Sequence, residues 1–159
     1  VLMPFLFFGL WMSRAAPEVA SSGDLVFGTP LLIEAMMRIF FGNTPAHEIY
    51  LHPMARAAWV GLFATALNLL PIGQLDGGHL VYALKSKWSK FVSNFAILAL
   101  VPLSYFYIPW LGWAVILYFL GRRHPHIQDE GPLDAQRVAF AALALLIFAA
   151  SFMVAPLLY

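Results

Sequence analysis

The stretch Leu67-Asn-Leu-Leu-Pro-Ile-Gly-Gln-Leu-Asp-Gly-Gly-His-Leu80 decides how this chain is read. An apolar helix runs into Pro71, which has no N–H to continue a helical ladder. The chain then passes Gly73, Gly77 and Gly78 and leaves one carboxylate, Asp76, at the end of a membrane-grade segment. A charge placed there is costly unless a cation, a metal or a hydrogen-bonding cap meets it. On spacing alone two readings stand: Asp76 caps a helix beginning near Gly78, or it is an oxygen ligand for a zinc ion. Non-helical backbone at membrane depth survives only when buried in protein or lining a wet cavity, and Gln74 and the pair Gly77-Gly78 fit such a cavity.

Composition sets the class. Hydrophobic residues make up 62% of the 159 and charged residues only 11%, less than half the roughly 25% of a soluble domain, and the mean hydropathy is +0.79. The expectation is an all-α, multi-pass transmembrane bundle in contact with the lipid bilayer. With a net charge of +1 and no basic stripe, nucleic acid is excluded as a partner. The absence of cysteine excludes disulfides and thiolate zinc sites.

Outward from the motif, the pattern predicts one transmembrane domain over 1–159. It holds a truncated span at 1–12, a polar loop at 13–53 with an interfacial amphipathic helix at 30–42, and full spans at 54–70, 91–107, 109–121 and 138–156. Val1 opens in the middle of an apolar run, so the chain is expected to be a fragment. A basic loop is expected at 84–90, and Tyr105, Tyr107, Trp110 and Trp113 are expected to form an interfacial aromatic belt. If the four spans each cross once, Lys85, Lys87, Lys90, Arg122, Arg123 and Arg137 share one side, six of the nine basic residues. By the positive-inside tendency the Asp76 loop then faces the cytoplasm.

Asn68-Leu-Leu-Pro71-Ile-Gly-Gln-Leu75-Asp76-Gly77 resembles the NxxPxxxLDG motif of the site-2 protease family of intramembrane zinc metalloproteases, at every fixed position. The segment from His52 to His79 is similar to the bacterial branch of that family. The resemblance implies a zinc endopeptidase that hydrolyses a peptide bond in or near the membrane, acting on a membrane protein or peptide, in a bacterial inner membrane. It implies Asp76 as a zinc ligand, Asn68 as a group positioning substrate or transition state, and Pro71, Gly77 and Gly78 as the residues shaping the turn. The family's other two zinc ligands come from an HExxH helix, which this sequence lacks.

The nearest candidate, His47-Glu-Ile-Tyr-Leu-His52, separates its histidines by five residues, about 140° around a helix, between Pro45 and Pro53. It reads as a turn. The HExxH helix is therefore expected upstream of Val1, and the fragment alone is expected to be inactive. His79 is a lesser metal candidate, and His124 and His126 read as loop residues. The alternative function is an inactive pseudoprotease that binds membrane proteins as a chaperone or adaptor. A transporter subunit with Asp76 in an ion path would need further ionisable residues in the later spans, and the sequence has none there.

Overall fold

The structure, a computed structural model, describes residues 2–16, 26–120 and 134–158. They are mostly helical, in line with the all-α expectation: α1 Leu2–Trp11, α2 Leu31–Phe41, α3 Pro53–Asn68, α4 Asp76–Leu103, α5 Pro109–Leu120 and α6 Ala135–Ser151. The polar stretch before α3 adds short strands that periodicity did not announce. β1 (Arg14–Ala15) pairs antiparallel with β3 (Ile49–Tyr50), and β2 (Val26–Phe27) pairs antiparallel with β4 (Leu157–Leu158). Among the described residues no helix is both long enough and apolar enough to cross a membrane.

Two compact units result, one built from Val1–Thr65 with Ala150–Tyr159, the other from Ala66–Ala149. In the first, α1 and α3 meet through small residues. A methyl group on Gly9 would land on the backbone of Met54 and Ala55, whereas one on Gly61 would meet only the side chain of Leu2. Close approach of this kind lets Leu6, Leu10, Ala55, Ala58 and Leu62 exclude water together, with Trp59 and Met153 in the same core. The Trp59 indole N–H donates to the Gly28 carbonyl at 2.6 Å, satisfying its polar edge inside the core. The Gly28 N–H donates to the Pro156 carbonyl at 2.8 Å, which continues the β2–β4 pairing.

Helix α2 stands where the interfacial amphipathic helix was expected. Its apolar side sends Ile33 and Met37 into that core, against α1, so this side is covered by protein. Glu34 and Arg38 form an exposed i,i+4 ion pair at 2.7 Å. Such pairs are worth only a few tenths of a kcal/mol. Gly42, at φ +62, closes the helix by donating its N–H to the Arg38 carbonyl.

In the second unit α4 replaces the basic loop expected at 84–90. The helix runs through Lys85, Lys87 and Lys90, broken only at Lys85, whose backbone is extended at φ −158° and ψ 80°. Charge led the sequence reading to a loop, but lysine is a good helix former. The helix ends at Leu103, beside Pro102, short of the 107 expected. Burial at Ser93, Ile97 and Leu100 on α4 and at Trp110, Ala114 and Leu117 on α5 follows the i, i+4, i+7 stripe of two packed helices. Trp110 is therefore a core residue at 1% exposure, not part of an interfacial belt, while Tyr105 is 89% exposed. Helix α6 stops at Ser151, five residues before the expected end.

The α1–α3 crossing yields a graded expectation. Gly9→Ala must push backbone aside and should destabilise the chain by about 1–3 kcal/mol, the usual range for overpacking. Gly61→Ala, opposed only by the flexible Leu2 side chain, should cost less than half of that. Denaturant unfolding of the two variants in the same detergent checks the order.

Candidate functional site: the Asn68–Gly78 turn

Helix α3 delivers Asn68 as its last residue, and α4 begins at Asp76. The seven residues between them close on themselves in short steps. The Leu70 N–H donates to Leu67 at 3.2 Å, that of Ile72 to Leu70 at 2.7 Å, and that of Leu75 to Ile72 at 2.9 Å. Gly73 adopts φ +38, a left-handed value that a side chain would oppose. Two groups in this turn find their partner twenty residues away. The Gly73 N–H donates to the Ser93 hydroxyl at 2.9 Å, and that hydroxyl lies 3.3 Å from the Pro71 carbonyl, to which it donates.

The glycine pair holds the other side. A methyl group on Gly77 would collide with the Leu69 and Leu70 carbonyls, and one on Gly78 with the Ile72 and Gly73 carbonyls. The first turn of α4 thus lies directly against the peptide backbone of the preceding turn, at a distance only glycine permits. Leu70, Ile72, Gly73, Gly77 and Gly78 are buried, while Asn68, Gln74, Asp76 and His79 are exposed. The turn hides its apolar and backbone groups and displays four polar side chains. Gln74, expected inside a polar cavity, stands on the surface.

Asp76 is the first residue of α4, and the cap position belongs to Leu75, with no side-chain cap hydrogen bond. The helix therefore begins two residues earlier than the capping reading required. A carboxylate at this end is favoured by the helix dipole and keeps its oxygens available to a ligand. One carboxylate does not make a zinc site, which takes three protein ligands and an open position. Among the described residues no group of three His, Cys, Asp or Glu side chains could hold a metal. The described residues therefore hold no complete zinc site.

The other histidines fall elsewhere. Residues Ala46–Glu48 form one turn of 3-10 helix followed directly by β3, so the His47–His52 stretch is not an α-helix. His52 starts α3: its ring Nδ1 accepts the Met54 N–H at 3.2 Å and its carbonyl accepts those of Ala55 and Arg56. His124, His126, Arg122 and Arg123 lie outside the described residues. Sequence reasoning missed Ser93. The signal was present in Ser89 and Ser93, an i,i+4 pair of hydroxyls on α4, both buried.

A mostly helical chain whose glycine-clamped turn presents an asparagine and an aspartate at NxxPxxxLDG spacing matches the pattern by which the sequence resembles the site-2 protease family. The model of Peptidase family M50 matches residues 22–108, and the chain belongs to that family, the site-2 proteases. It is 29% identical over 151 residues to the probable zinc metalloprotease EGY1, chloroplastic, of Arabidopsis thaliana, covering 87% of this chain and 27% of that protein. It is 30% identical over 100 residues to the probable zinc metalloprotease EGY2, chloroplastic, of Oryza sativa subsp. indica, covering 61% of this chain and 18% of that protein. A third relative, the DDT domain-containing protein PTM of Arabidopsis thaliana, is 36% identical over 78 residues, covering 46% of this chain and 5% of that protein. The chain thus spans about a quarter or less of the length of these relatives. No solved structure matches it. The expectation of a bacterial inner membrane gains no support from relatives whose names place two of them in chloroplasts.

The clamp makes a paired prediction. Gly77→Ala should destabilise the chain by at least the 1–3 kcal/mol typical of overpacking, because fixed carbonyls leave it no room. Gly112→Ala on α5, where nothing lies within 4 Å, should be neutral or stabilising by about 0.5–1 kcal/mol. Thermal unfolding followed by circular dichroism reads both.

Proposed function

We propose that this chain is the C-terminal part of a multi-pass intramembrane zinc metalloprotease and supplies Asp76, one of the three protein ligands of its zinc site. The observation that carries the reading is the Asn68–Gly78 turn: a glycine-clamped, hydrogen-bonded backbone with Asp76 at the exposed start of α4. Two further ligands, from an HExxH helix elsewhere in the longer protein, would complete the site. Zinc bound there supplies a water of lowered pKa able to attack a peptide carbonyl. This chain's own contribution is to hold Asp76 as an oxygen ligand and Asn68, one turn of backbone away, as a hydrogen-bonding group for substrate. The chain without the HExxH helix is inactive.

The substrate is a peptide bond in or beside the bilayer. Membrane placement is supported by composition and by large apolar side chains turned outward, with Phe95, Phe119, Phe140 and Leu146 each more than 60% exposed. The Asp76 turn lies on the side of the basic residues, by the positive-inside tendency. A second reading, an inactive membrane-protein adaptor, is favoured by one observation: a relative matched over 78 residues is named for a DDT domain and not as a protease.

The test is Asp76→Asn in the longer protein, reading zinc content and cleavage of a membrane-tethered substrate on one sample. Asp76 is not the cap residue and asparagine gives up only the helix-dipole attraction, about 0.3–1 kcal/mol, so folding should be retained. Zinc and cleavage should both fall by more than the about 10- to 100-fold typical of changes beside a metal ligand. Full zinc and full cleavage in the variant would remove Asp76 from the site. Absence of cleavage and of zinc in the unsubstituted protein would favour the adaptor.

A further inference from the structure

The turn that carries Asn68 and Asp76 is not held by its own sequence alone. Pro71 ends α3 and leaves Ile72 and Gly73 outside any helical ladder, in a stretch where Leu70 and Ile72 are 3% and 0% exposed. Backbone groups in such a setting must find partners. Ser93 supplies them from the buried face of α4, seventeen residues beyond Asp76, accepting from the Gly73 N–H and donating to the Pro71 carbonyl. Its side chain is 6% exposed, so water does not offer a ready substitute. The same hydroxyl thus grips the chain on both sides of Ile72, midway between Asn68 and Asp76.

We infer that Ser93 is the positioning residue of this site: its two hydrogen bonds fix the turn so that Asn68 and Asp76 keep one mutual distance and direction. The glycine contacts set how closely α4 approaches the turn, and Ser93 sets which way the turn faces along α4. The role given to Asn68 and Asp76 rests on the reading proposed above. The positioning itself rests only on the geometry of Pro71, Gly73 and Ser93. On this buried helical face threonine keeps the hydroxyl, while alanine keeps the helix and removes both bonds.

The absence of native cysteine makes the test direct. Spin labels on cysteines replacing Asn68 and Asp76 report their distance distribution in the purified chain. With Ser93 in place the distribution should be narrow. Ser93→Ala should add further populations, and Ser93→Thr should restore the narrow one, all at unchanged helix content. Exchange of the Gly73 amide should quicken about 10-fold in Ser93→Ala, the order expected for one lost hydrogen bond. A distribution and a Gly73 exchange rate that Ser93→Ala leaves unaltered would overturn the inference. So would fast Gly73 exchange in the unsubstituted chain, a result that stands even if Ser93→Ala fails to fold.

In the longer protein, Ser93→Ala should lower kcat about 10- to 100-fold with KM little changed, and Ser93→Thr should recover it. Should Asp76→Asn prove harmless there while the spin-label result holds, the protease assignment fails and the positioning role of Ser93 remains.

Discussion

Pro71 imposes the constraint on which the site depends. It stops α3 in apolar sequence and strips the following residues of helical partners, at a place where water is scarce. Each freed backbone group needs another partner, and the chain answers in three ways. Short-range bonds within residues 67–75 tighten the turn, Ser93 reaches in from α4, and Gly77 and Gly78 let α4 press against the turn's carbonyls. The result is a rigid connection whose ends carry Asn68 and Asp76. No chemistry is needed to explain why the turn is rigid. A backbone held in this way would orient Asp76 as the hydrogen-bonding partners behind a metal ligand orient that ligand.

A parallel economy operates in the first unit. Ser13 donates to the Gly9 carbonyl at 2.7 Å and accepts the His52 N–H at 2.9 Å, tying the end of α1 to the start of α3. His52 in turn accepts the Met54 N–H on its ring. A residue that looked like half of a metal pair is thus engaged at a helix N-terminus. Arg56 lies over the Tyr50 ring, 4.8 Å from its centroid, and donates to the Leu51 carbonyl at 3.0 Å. The polar groups around this helix start are joined to backbone and rings, and they do not converge on a ligand.

The helices were legible because their apolar runs are long and bounded by proline, and the motif was legible because it sits where one run ends. The basic segment 84–90 was misread because charge was taken as a mark of loop, whereas lysine-rich sequence continues α4 with one break at Lys85. Trp110 was misread because an aromatic residue after a proline suits both a membrane interface and a core, and only packing of α4 on α5 decides between them. Ser93 left only the i,i+4 hydroxyl pair with Ser89 as a trace, and the identity of its partners, like the β2–β4 pairing, was not legible, because each joins residues far apart in sequence. The turn at 68–78 was recognised as a unit, but its stiffness came into view only with the carbonyls that face Gly77 and Gly78.

The central claim, that Asp76 is a zinc ligand held by this turn, is tested most directly by replacing it with the one ligand type the chain lacks. Asp76→Cys in the longer protein, loaded with zinc and examined by X-ray absorption at the zinc edge, should gain a sulfur neighbour at about 2.3 Å and lose an oxygen near 2.0–2.2 Å. A first coordination shell identical to that of the unsubstituted protein would contradict the claim.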